Sequence, residues 1–303
     1  MPGLIAFIAL GRPLFLVGGV VFYGLGVAAA AHDGAPVAWG LALWGYLAVA
    51  AAQLMNHYSN DYYDLDADSA NQSATPWSGG SRVLAERRLR PQVALWAALS
   101  FGALALLLAV WVATLAVAPL ASLALLLCAT GLAWVYSGPP LFLHRRGLGE
   151  LVGALLIPGL TALVAYQIQT GRPGATTLLV AVPLCLMQFA MLVAVSVPDA
   201  AGDAAVGKRT LVVLLGARRA AWLYVAALGL AYAALPLLGL AGLPWAVALA
   251  PLGVAPVALW NGWRAARGRW ADPGSWAGLG FWSIGQLVGG AALMLLGFVW
   301  VGA

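Results

Sequence analysis

The chain has 303 residues, 63% of them hydrophobic and 8% charged, with a formal net charge of +5. Soluble domains carry about 25% charged residues, so this composition excludes a water-soluble globular protein and requires lipid contact. Two cysteines, Cys128 and Cys185, fall in apolar stretches and read as packing residues rather than a disulfide or metal pair.

Arg12-Pro13 opens the first apolar run, and Pro13 to Ala31 carries no charge. The segment before it lacks a basic leader, which argues against a cleavable signal peptide. A crossing is expected from about Val37 to Ser59, followed by an acidic segment and a polar loop. Pro91 to Leu143 is charge-free and long enough for two spans with a break at Ala118-Pro119. Leu151 to Gly171 and Pro173 to Pro198 each supply one span. Ala220 to Trp263 supplies two, broken near Gly239 to Pro244, and Pro273 to Ala303 supplies the last. A helix needs about 20 apolar residues to cross the hydrocarbon, so the expectation is nine transmembrane helices in a single domain over 1–303. The fourteen Trp read mainly as interfacial anchors.

With nine spans, fourteen of the fifteen basic residues fall on one side and Arg172 alone on the other. The positive-inside rule places the rich side, with the N-terminus, in the cytoplasm of a multi-pass cell-membrane protein. Nine of the ten acids lie there too, all but Asp33. Topology explains the basic residues but not the acids.

The second span runs into Asn56-His57-Tyr58-Ser59-Asn60-Asp61-Tyr62-Tyr63-Asp64-Leu65-Asp66-Ala67-Asp68. Continued as a helix, it brings Asp61, Asp64 and Asp68 to one face with Asn60 at its edge, while Asp66 points elsewhere. Stacked carboxylates near a membrane repel one another unless cations occupy the stripe. Oxygen-only donors suit Mg²⁺ or Ca²⁺. His57 reads as a polar interface residue among these hard donors. The sixth span ends in Asp199-Ala200-Ala201-Gly202-Asp203, again a pair on one helical face, with Lys208-Arg209 following. Two facing clusters can hold metal ions between them, and a bridging diphosphate would also meet Lys208 and Arg82. Tyr136 and Ser137 end the fourth span, as interfacial anchors or diphosphate contacts. Glu150 at the start of span five serves helix stabilisation or catalysis, and His144 reads as a solvated loop residue.

Asn60-Asp61-x-x-Asp64-x-x-x-Asp68 resembles the first aspartate motif of the UbiA superfamily of intramembrane prenyltransferases, and Asp199-x-x-x-Asp203 with Gly207 to Leu211 resembles the second. Arg12-Pro13, Tyr136 to Leu141 and Arg146 to Glu150 look like further elements of that family. The resemblance implies an all-α membrane fold with nine helices around a central cavity, cytoplasmic cap elements and a lateral opening. It also implies Mg²⁺-dependent transfer of a prenyl group from a prenyl diphosphate to an aromatic acceptor. The implied metal ligands are Asn60, Asp61, Asp64, Asp68, Asp199 and Asp203. Lys208, Arg82 and Arg12 would add positive charge, and Asn56, Asn60 and Ser137 would contact substrate. Lys208, Arg82, Tyr136 and Asp66 are the catalytic candidates, Asp66 for assisting the acceptor.

The Lys208 to Leu211 and Leu148 to Glu150 elements look most like the 1,4-dihydroxy-2-naphthoate prenyltransferases of menaquinone synthesis, whereas the loop Ala70 to Leu84 departs from that subgroup. 4-Hydroxybenzoate, a tetrapyrrole or a lipid stays open as acceptor. A polytopic transporter would place its ionisable groups near the midplane rather than the rim. No nucleic-acid or protein partner is inferred.

Overall fold

The computed structural model describes residues 2–302, and among them the fold is helical throughout, without a strand. Proline sets several helix starts, because its missing N–H and fixed φ cost nothing in a first turn. Pro13 opens α2 (Pro13–His32), Pro91 opens α5 (Pro91–Leu115), Pro119 opens α6 (Pro119–Ser137) and Pro273 opens α15 (Pro273–Gly302). A short α1 (Pro2–Leu10) precedes Arg12, whose left-handed backbone turns the chain into α2.

Between these run α3 (Trp39–Tyr63), the short α4 (Leu65–Ala70), α7 (Gly149–Ala154) and α8 (Thr161–Thr170). A π-helical turn, Leu155–Leu160, joins α7 to α8 and contains Pro158. Next come α9 (Ala175–Val195), α10 (Ala200–Ala205), α11 (Leu211–Leu215) and α12 (Ala217–Leu240). The short α13 (Trp245–Ala248) and α14 (Ala255–Ala266) precede α15.

Eight helical stretches among the described residues are long and apolar enough to cross a bilayer, and the protein is an integral membrane protein. The expected crossing over 37–59 corresponds to α3, 25 residues long but less apolar, because Gln53, Asn56, His57 and Asn60 occupy its second half. Those polar side chains face inward, while Trp39, Leu43 and Leu47 are exposed on its outer side.

The largest core lies among α2, α9, α12, α14 and α15, around Leu25, Leu184, Met187, Tyr224, Leu235, Leu287 and Met294. Large apolar residues such as Leu107, Leu120, Leu240 and Trp300 stay exposed outside it, as lipid-facing positions should. Lipid tails are as apolar as leucine, so close backbone approach must hold the helices together. Gly26 shows this: a Cβ there would lie 2.1 Å from the Ala162 carbonyl oxygen, so α2 and α8 meet only because the residue is glycine.

Candidate active site

Helix α3 stops at Tyr63, Asp64 closes it, and the chain restarts as α4. The backbone N–H of Asp68 still donates to the Asp64 carbonyl at 2.8 Å, so the two helices run almost continuously. The second cluster begins where α9 ends, with Asp199 preceding α10 and Asp203 within it. Gly202 lies against the Ala67 carbonyl and Asn71, which docks α10 on α4 and turns the two acidic segments toward each other.

A cavity of about 440 Å³ opens between them, lined by Arg12, Asn60, Asp64, Asp68, Arg82, Tyr136, Asp199, Asp203 and Lys208 among others. This volume lies in the range of small-molecule sites. Lys208 Nζ bridges the clusters, 2.9 Å from Asp64 Oδ2 and 3.3 Å from Asp203 Oδ1. Its position follows from a turn at Gly207, where φ is +74°, and from Arg209, whose N–H donates to the Arg145 carbonyl at 3.1 Å. That last bond ties the second acidic segment to the loop after α6.

The electrostatics follow from these pairings. Burial alone would raise the Asp64 carboxyl, but Lys208 and His144 overcome it and hold the group well below the usual carboxylate range. Burial would also lower the Lys208 ammonium, yet Asp64 and Asp203 raise it, so it stays charged. Asp68 is the opposite case: burial, then the neighbouring Asp64 and Asp61, push its carboxyl up to about 8. Asp199 is pushed up to about 6, chiefly by burial and against the Gly79 N–H that stabilises its anion. Burial raises Asp203 too, with Lys208 opposing.

The structure brings most of the expected residues together but redistributes four of them. Asp61 is 2% exposed and does not line the cavity; Arg12 forms an ion pair with it, and the Ser81 N–H and hydroxyl donate to it. The three-carboxylate stripe is therefore divided, with Asp61 serving as an anchor for Arg12 and the 79–82 loop. Ser137 is fully buried and links α6 to α3: its Oγ accepts from Asn60 Nδ2 at 3.2 Å and from Asn56 Nδ2 at 3.4 Å. Asn56 itself lines a deeper chamber. Asp66 is exposed and outside the cavity, because the helical period that turns Asp64 and Asp68 inward turns it out.

Other residues were not legible as site residues. His144 is 3% exposed rather than solvated: Nε2 lies 2.7 Å from Asp64 Oδ1 and Nδ1 lies 2.7 Å from the Tyr136 carbonyl. Tyr136 stacks on its ring and lines the cavity. The loop over 71–82 stitches both clusters. Asn71 Nδ2 donates to Asp199 Oδ1 at 2.8 Å, the Gly79 N–H donates to Asp199 Oδ2 at 3.1 Å, and the Arg82 guanidinium donates to the Asp68 carbonyl. Gly79 and Gly80, both at positive φ, let the loop turn back over the clusters.

Beneath the polar cavity lies an apolar chamber of about 240 Å³, reached past Arg12, Phe15, Trp77, Tyr136, Leu192 and Val195, which line both spaces. Gln53, Asn56, His57 and Gln188 give it neutral polar groups, and Leu156 and Ile157 of the π-turn form part of its wall. A smaller recess of about 80 Å³ continues from the same Gln53, Asn56, His57, Leu156 and Ile157 toward α6. The arrangement joins a charged mouth to a mainly apolar interior, which suits a ligand with an anionic head and a hydrocarbon tail.

A 1,4-dihydroxy-2-naphthoate octaprenyltransferase from Bacillus subtilis is 26% identical over 180 residues, which cover 59% of this chain. The match spans 56% of that relative's own length. A UbiA homologue from Aeropyrum pernix K1 shares the fold with a TM-score of 0.69 at 18% identity, over 95% of this chain and 98% of that one. A UbiA homologue from Archaeoglobus fulgidus, bound to GPP and Mg²⁺, does so with a TM-score of 0.63 at 17% identity, over 95% and 99% of the two chains. The profile of the UbiA prenyltransferase family matches residues 19–285, from α2 through both acidic segments into α15, and the chain belongs to that family.

Proposed function

We propose that this protein, as a single domain over 1–303, transfers a prenyl group from a prenyl diphosphate to an aromatic acceptor. The acceptor we assign first is 1,4-dihydroxy-2-naphthoate, in menaquinone synthesis. The observation that carries the reading is the pair of acidic segments facing across one cavity, bridged by Lys208 and set directly over an apolar chamber. The naphthoate assignment is supported by the Bacillus relative, which is named for that reaction.

The donor set fits Mg²⁺. All the cavity-lining candidates, Asn60, Asp64, Asp68, Asp199 and Asp203, offer oxygen, and the Asp68 carboxylate has no ion-pair partner among the described residues. No three His, Cys, Asp or Glu among the described residues are grouped to hold an ion alone. That is compatible with Mg²⁺, which takes one or two carboxylates and completes its shell with water and phosphate oxygens. When bound, the ion supplies charge neutralisation for a departing diphosphate.

The protein's own groups do the rest. Lys208 and Arg12 place positive charge at the mouth, where negative charge grows as the allylic C–O bond breaks. His144 and Asp61 position Asp64 and Arg12 by direct contact. The apolar walls of the chamber hold the tail and exclude water that would quench an allylic cation.

The test is turnover of purified protein with Mg²⁺, a labelled prenyl diphosphate and both acids in competition. Asp64→Ala and Asp203→Ala should each lower turnover at least about 100-fold. Asp33→Ala should leave it within a few-fold, since Asp33 only accepts from Tyr166 and Thr176 far from the cavity. Turnover that survives EDTA, or both acidic-cluster substitutions, would overturn the mechanism. Prenylated hydroxybenzoate as the dominant product would overturn the acceptor alone.

A further inference from the structure

Glu150, in the first turn of α7, is 3% exposed and lines the polar cavity. Its Oε1 accepts the Leu211 N–H at 2.9 Å, which fixes the carboxyl in place. Its Oε2 is buried and has no hydrogen-bond partner. A buried carboxylate oxygen left without a donor costs stability, so its retention calls for a donor that arrives with a ligand.

The place of the residue narrows what that donor is. Tyr136, Leu192 and Val195 line both the cavity and the apolar chamber, and so mark their junction. Gly153, one turn beyond Glu150 on α7, lies against Tyr136 and Leu192 and lines the chamber. Glu150 therefore stands where a prenyl diphosphate with its head in the mouth and its tail in the chamber would present its allylic carbon. It is distinct from the cavity carboxylates, which face Lys208, Asn71 or one another.

We propose that Glu150 binds the acceptor's hydroxyl and takes its proton; this rests on the prenyl-transfer reading above. The O–H bond breaks, the proton passes to Oε2 and the electron pair moves into the ring. The ring carbon bearing the carboxyl then forms the C–C bond to the allylic carbon, and the C–O bond breaks with its pair leaving on diphosphate. Loss of the carboxyl as CO₂ returns a pair to the ring oxygen, which recovers its proton from Glu150. An acceptor prenylated at a ring C–H loses that proton to solvent in place of CO₂.

The test is Glu150→Gln, which keeps an oxygen for the Leu211 N–H but cannot accept the proton. Binding of labelled prenyl diphosphate with Mg²⁺ should stay within about twofold, while product formation falls about 10²–10⁴-fold. Product formation within a few-fold of the parent would overturn the proposal, and so would an equal loss of diphosphate binding. A second measurement needs no variant: the acceptor's hydroxyl methyl ether should be a poor substrate of the unaltered protein by a similar factor. If the ether reacts as well as the free hydroxyl, Glu150 is not the base. If the unaltered protein prenylates no aromatic acceptor at all, the reading of the function fails instead.

Discussion

At the scale of single residues, the site works through unequal carboxylates. Asp64 is met by Lys208, His144, Arg145 and Asn60 and stays ionised, whereas the Asp68 carboxylate has no such partner among the described residues and is raised to about 8 by burial and its acidic neighbours. With its carboxyl raised to about 8, the metal-free Asp68 should carry a proton that a cation must displace at lower pH and should already be charged at higher pH. Apparent Mg²⁺ affinity, measured by titration calorimetry, should therefore weaken as pH falls from 9 to 6, with protons released on binding. Asp68→Asn should flatten this dependence, and a slope unchanged by the substitution would exclude Asp68 as its source.

Lys208 allows a second comparison, with a basic residue outside the site. Lys208→Ala removes the cation that, among the described residues, touches both clusters, and should cut turnover far more than Arg267→Ala, whose guanidinium packs over the exposed Trp263. Equal effects in the same assay would reduce Lys208 to a topogenic charge. Most of these acids were legible because a helical period of 3.6 puts them on shared faces. His144 was not, because nothing in its neighbours Leu143 and Arg145 signals burial; its partners, Asp64 and the Tyr136 carbonyl, come from other segments.

Among the structural elements, the loop over 71–82 shows what sequence patterning leaves out. It has no period to read, and in sequence it stood out only as a departure from one subgroup's pattern. In the fold it is the stitch between the clusters, donating to Asp199, Asp61 and the Asp68 carbonyl. Gly80 is the tightest point. Its φ is +69°, and a Cβ there would lie 2.0 Å from Asp68 Oδ2. Gly80→Ala combines a left-handed backbone penalty of about 1–2 kcal/mol with displacement of the Asp68 carboxylate. Turnover should fall and the Mg²⁺ requirement rise, while thermal unfolding in detergent shifts by only a few degrees. A fully active alanine variant would mean that the loop does not position Asp68. The long apolar helices are the opposite case: Pro13, Pro91, Pro119 and Pro273 announce their starts, and the bilayer's thickness sets their length.

Over the whole molecule, the charges sort by end of the bundle. Arg12, Arg82, Arg145 and Lys208 gather around the acidic cavity, while Asp33 meets Tyr166 and Thr176 near Arg172 at the opposite end. If nine stretches cross, fourteen of the fifteen basic residues lie on the cavity's side, and insertion should leave that side in the cytoplasm. Eight stretches are long and apolar enough to cross, and α3, whose polar half lines the chamber, is expected to make a ninth crossing. An odd number of crossings puts the two ends of the chain on opposite sides. A reporter active only in the cytoplasm should therefore signal when joined ahead of α1 and stay silent when joined after α15, with a periplasm-active reporter giving the reverse. Insertions carrying the reporter between Ala266 and Pro273 should again signal, since Arg267 and Arg269 lie there. Signal from both ends would leave an even count, and α3 would then be a helix that enters the membrane without crossing it.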